Sequence, residues 1–140
     1  MSFREKSAWV MSLALVVAGA FYLLVVVRMS ATVGEIAPPL APVVAVYVAA
    51  LTLVAVFGHA IVAALSPKEA NAAADERDRL IVARAGSLGG VVLAAGIVCA
   101  MGYYLFTYSG NALFHGVLVS LMLAQLAEYL RQIVLYRTVV

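Results

Sequence analysis

Apolar residues follow one another in four long runs, Ala8–Val27, Leu40–Leu65, Ala85–Tyr108 and Ala112–Leu135, broken only by short polar stretches. A buried soluble helix can be apolar all round, but four such runs in 140 residues leave no amphipathic element to shield them from water. At 1.5 Å of rise per residue each run is long enough to cross a hydrocarbon layer of roughly 30 Å. The pattern predicts an all-α integral membrane protein. It has four transmembrane helices at about residues 8–28, 40–65, 76–108 and 112–135, in one domain over residues 1–140.

Polar punctuation divides the helices. Residues Arg28–Pro39, with Gly34, Glu35, Pro38 and Pro39, read as a loop, and Pro42 falls in the first turn of the next helix, where proline is tolerated. Ser109-Gly110-Asn111 reads as a tight turn that makes the last two helices antiparallel neighbours. Between the second and third runs, Ser66-Pro67-Lys68-Glu69 has the order of a helix start: serine at the N-cap, proline after it, glutamate at the third position. Asn71-Ala72-Ala73-Ala74 then leads to Asp75-Glu76-Arg77-Asp78-Arg79, where Asp75 can cap the third helix.

Composition agrees with this pattern: 66% of residues are hydrophobic and 11% charged, against about 45–50% and about 25% in ordinary globular chains. Charge then sets orientation. Eight of the nine basic residues (Arg4, Lys6, Lys68, Arg77, Arg79, Arg84, Arg131 and Arg137) fall on one side of an up-down antiparallel bundle, and only Arg28 on the other. The positive-inside rule makes the richer side, with both termini, cytoplasmic. Phe3, Trp9, Tyr129 and Tyr136 would mark that interface, and Tyr22, Tyr47, Tyr103, Tyr104 and Tyr108 gather toward the opposite one. The first run is longer than a signal-peptide core, and no small-x-small cleavage site follows it, so it is expected to be retained. The net charge of +2 includes no basic patch of the size that nucleic acid requires.

Three groups of residues are candidates for function. The first is the charged turn with Asp75, Glu76, Arg77, Asp78, Arg79 and Arg84, either a solvated helix start with a topological anchor or a docking surface for a partner. The second lies within the apolar runs, where polar side chains are expensive. His59 and Glu128 have matching depths in the second and fourth helices, and Gln125, Glu128 and Gln132 recur at helical spacing with Arg131 beside them. They are either structural groups satisfied locally, a proton-sensitive His59–Glu128 contact, or the polar path of a small oligomeric transporter or channel. The third is Gly86, Gly90 and Ala94, a small-xxx-small face extended by Gly89 and Gly96, which suits close helix packing. It would serve contacts within the chain, a homodimer, or a partner subunit.

Other chemistry finds little footing. His115 and His59 would sit on the order of 15 Å apart in depth, too far for a bis-histidine haem. No metal-ligand spacing and no nucleotide-binding glycine pattern occurs, and the lone Cys99 reads as a packing residue. No metal, cofactor or enzymatic activity is expected.

The strings Gly58-His59-Ala60-Ile61, Ser66-Pro67-Lys68-Glu69-Ala70, Ala74-Asp75-Glu76-Arg77-Asp78-Arg79-Leu80-Ile81, and Ala127-Glu128-Tyr129 with Gln132-Ile133-Val134-Leu135-Tyr136-Arg137 resemble an uncharacterised family of small bacterial four-helix membrane proteins with a cytoplasmic Asp-Glu-Arg-Asp box. The resemblance implies a bacterial inner-membrane location and a helix-turn-helix regulator as partner; another membrane subunit is the alternative partner for the charged turn. It brings no catalytic residues. The function expected is that of a non-enzymatic regulatory or interaction protein.

Overall fold

The computed structural model describes residues 3–65, 67 and 75–138. These residues form four helices: α1 (Phe3–Val33), α2 (Ala41–Leu65), α3 (Glu76–Thr107) and α4 (Gly110–Thr138). Each is long and apolar enough to cross a membrane, which by length and composition makes this a multi-pass membrane protein. The side chains agree with that reading. Leu13, Val17, Leu24, Val48, Leu53, Val98 and Leu105 are exposed along the helix flanks, an arrangement stable in lipid and costly in water. Helices also satisfy their own backbone hydrogen bonds, as a lipid environment demands.

Helix ends follow local chemistry. α1 continues past Arg28, where the sequence pattern placed the start of a loop, because Met29 to Val33 contain nothing that breaks a helix. Gly34 stops it with φ +81°, a conformation glycine adopts without steric cost, and its N–H bonds Ser30 O at 2.9 Å. Asp75 caps α3 by accepting from the Asp78 N–H at 2.6 Å. Tyr108, at φ 52°, closes α3 with its N–H on Tyr104 O, and α4 begins two residues later. Of the Ser66–Ala74 connection only Pro67 is described, so the proposed start at Ser66 and the Lys68, Glu69 and Asn71 readings lie outside the described residues.

α1 and α4 are the central pair. α1 packs against α2 on one flank, α4 packs against α1 and most extensively against α3, and α2 and α3 make no comparable contact with each other. Contacts fall in ordered pairs along the helices: Ser7 with His59 and Tyr22 with Tyr47 for α1 and α2, Glu5 with Arg137 and Tyr22 with His115 for α1 and α4. The core is small. Tyr22, 1% exposed, meets Tyr47 and Met122, with Val26, Val43, Leu51 and Leu118 packed around them.

The α3–α4 seam is set by small residues, in a register different from the one Gly86, Gly90 and Ala94 suggested. A Cβ on Gly89 would stand 3.1 Å from the Ala124 carbonyl oxygen and 3.3 Å from Glu128 Cβ, and one on Gly96 would collide with Ser120. A Cβ on Gly116 of α4 would stand 2.9 Å from Ala100 Cβ. Gly86 and Gly90 meet nothing within 4 Å, and Ala94 is exposed. With 3.6 residues per turn, Gly89 and Gly96 share one face with the fully buried Ala85, and Gly90 and Ala94 point away from it.

Candidate functional site

The charged turn at the start of α3 divides into two roles. Asp75 turns its carboxylate to the α3 backbone, where Oδ1 accepts the Asp78 N–H. Asp78 is a structural hub: Oδ2 pairs with Arg4 Nε of α1 at 3.0 Å, and Oδ1 accepts the Tyr136 hydroxyl of α4 at 2.9 Å. A second link runs beside it, from Arg137 Nε to the buried Glu5 at 3.1 Å, with the Arg137 guanidinium 5.6 Å above the Trp9 ring. Asp78 and Glu5 thus tie α1, α3 and α4 together at this end. Glu76, Arg77, Arg79, Leu80 and Arg84 remain exposed on α3. They form a mixed-charge face on an immobilised support.

The polar groups within the helices do not converge. His59 sits in the α1–α2 seam, where Nδ1 donates to Ala55 O at 2.6 Å and Nε2 faces Ser7 Oγ at 2.5 Å. A carbonyl can only accept, so Nδ1 carries the proton and Nε2 accepts from serine. Glu128 sits in the α3–α4 seam against Gly89 and accepts from Gln132 Nε2 at 3.3 Å. His59 and Glu128 lie in different seams with separate partners, so the His59–Glu128 contact, one of the three arrangements the sequence allows, is not formed. Gln125 and Arg131 are exposed, and Gln132 is buried.

A further polar cluster, which the sequence did not single out, occupies the opposite end. His115 of α4 is buried. Its Nε2 lies 2.9 Å from Ala37 O and its Nδ1 lies 2.7 Å from the Tyr22 hydroxyl. The carbonyl again assigns the tautomer: Nε2–H donates to Ala37, and Nδ1 accepts from Tyr22. Ser30 Oγ accepts the Ala37 N–H at 3.0 Å, and Asn111 Nδ2 donates to Ile36 O at 3.0 Å. The α1–α2 loop is therefore fastened to α1 and α4 through both its N–H and C=O groups. A lateral groove of about 590 Å³ opens beside it, between α1 and α3 over α4, lined by Ser30, Ile36, Gly96, Cys99, Tyr103 and His115. The one legible signal was the gathering of Tyr22 and Tyr47 toward this end; which residue His115 meets depends on helix rotation.

Among the described residues no three His, Cys, Asp or Glu side chains are grouped to hold a metal ion. Comparison with protein families, with characterised proteins and with solved structures finds no match. The functional reading therefore rests on geometry and charge.

Proposed function

We propose that this is a non-enzymatic bacterial inner-membrane protein that holds a partner protein on the first turns of α3. Its helices run up and down as an antiparallel bundle with both termini in the cytoplasm. The ordered contact pairs and the clustering of Arg4, Arg77, Arg79, Arg84, Arg131 and Arg137 at one end support this orientation. The partner is a small helix-turn-helix regulator or another membrane subunit, and the mechanism is sequestration at the membrane.

One observation carries the reading. Asp75 and Asp78 are consumed in capping and cross-helix bonds, whereas Glu76, Arg79, Leu80 and Arg84 stay exposed on the rigid support these bonds create. Charge neutralised within the protein builds a platform; charge left on the surface is available for complementary recognition. The transporter alternative draws less support, because His59 and Glu128 lie in separate seams and Gln125 is exposed.

Affinity purification from native membranes tests the reading. The native chain should retain a defined companion that Arg79→Glu with Arg84→Glu releases and Glu128→Gln keeps. Recovery of the chain alone, together with proton or solute flux lost in Glu128→Gln, would replace docking with transport.

A further inference from the structure

We propose that His115 is a proton-sensitive latch that holds the α1–α2 loop at the edge of the lateral groove. The moving part has a hinge and a stiff strap: Gly34 at φ +81° on one side, and Pro38-Pro39 leading into α2 on the other. Between them Ala37 is 1% exposed, and its carbonyl rests on His115 while Ser30 holds its N–H. Ile36, held by Asn111, lines the groove together with Ser30 and His115. Two of the residues that fasten the loop, Ser30 and His115, are thus also residues of the groove wall.

The latch is complete only with a neutral imidazole. The Tyr22 hydroxyl donates to Nδ1, Nδ1 accepts, Nε2–H donates, and the Ala37 carbonyl accepts. A proton on Nδ1 turns that acceptor into a donor. Tyr22 must then accept in place of donating, and its own O–H is stranded at a site 1% exposed. The new positive charge is buried as well. The ionisable groups around it are Tyr22 of α1, Tyr47 of α2 tilted against Tyr22, and Cys99 and Tyr103 of α3 across the groove; Arg28 and the loop's Glu35 are exposed. Among the described residues no carboxylate contacts the ring, whose hydrogen bonds go to Tyr22 and Ala37. An unpaired buried cation is costly, and lifting the loop relieves that cost by opening the ring further. Histidine is the side chain that changes charge in the range where such a switch is useful.

The test places a spin label on the loop through Glu35→Cys, in a Cys99→Ser background, with the full chain in liposomes. Glu35→Cys also removes the loop's own carboxylate. Between about pH 8 and about pH 5 the ratio of mobile to held label should rise roughly threefold to tenfold, the change expected from losing one hydrogen bond. His115→Gln, whose amide can donate to Ala37 and accept from Tyr22 without titrating, should abolish the rise. Tyr22→Phe leaves no hydroxyl to strand, so it should narrow the difference between the two pH values. A label equally held at both values in the native background overturns the latch. So does a rise that persists undiminished in His115→Gln, or one as large in Tyr22→Phe as in the native background.

Discussion

Arg4 and Asp78 meet with 3.0 Å between Nε and Oδ2, joining two helices, α1 and α3, that α4 otherwise keeps apart. The ion pair is partly exposed, so on its own it is worth at most about 1 kcal/mol. Asp78 also accepts the Tyr136 hydroxyl, which adds a hydrogen bond from α4 to the same carboxylate. The consequence is a fixed geometry for the exposed charges on either side of it.

Asp78→Ala should therefore cost about 1–2 kcal/mol, combining the ion pair and one hydrogen bond. Glu76→Ala, at an exposed position, should fall within about 0.5 kcal/mol of the native protein. Thermal unfolding of both variants in the same mild detergent makes the comparison. Equal losses would mean that Asp78 is not the hub described.

Gly89 and Gly90 are neighbours with opposite predicted tolerance. Gly89→Val must push against the Ala124 carbonyl and Glu128, an overpacking of about 1–3 kcal/mol, whereas Gly90→Val enters open space. Yield and size-exclusion profile should deteriorate for the first and hold for the second. A reversed order would return the packing face to Gly86 and Gly90.

His59 and Glu128 occupy separate seams, so their substitutions should be additive. In a cycle of His59→Gln, Glu128→Gln and the double variant, the coupling should stay within about 0.5 kcal/mol. Coupling well above that would restore the paired arrangement that equal depth suggested.

Ser12 is 4% exposed, and its hydroxyl has no hydrogen-bond partner among the described residues. Ser12→Ala removes a buried polar group and leaves little space, so it should be neutral or stabilising by up to about 1 kcal/mol. A fall in melting temperature would show that the hydroxyl has found a partner in the membrane.

The number of spans was legible because unbroken apolarity alone marks a span. Their ends were partly legible. Arg28 looked like a boundary because it is charged, but a charge does not end a helix, and Gly34 six residues later does. Asp75 was recognisable as a cap from its place before Glu76 and Asp78, and the structure uses it so. What the sequence withheld was rotation about each helix axis. Four glycines between positions 86 and 96 allow several packing faces, and only the side chains of α4 choose Gly89 and Gly96. Rotation likewise separates His59 from Glu128 and brings His115 to Tyr22, residues 93 positions apart in the chain.

Site-specific photocrosslinking in native membranes tests the central claim most directly, with the probe placed at Leu80 or at Val98. Both are exposed on α3, the first among the exposed charges and the second within the apolar stretch. Docking on the charged turn predicts one discrete protein adduct from Leu80, lost on charge reversal at Arg79 and Arg84, and none from Val98. A protein adduct from Val98 with none from Leu80 would contradict it and move the contact surface into the spanning part of the helix.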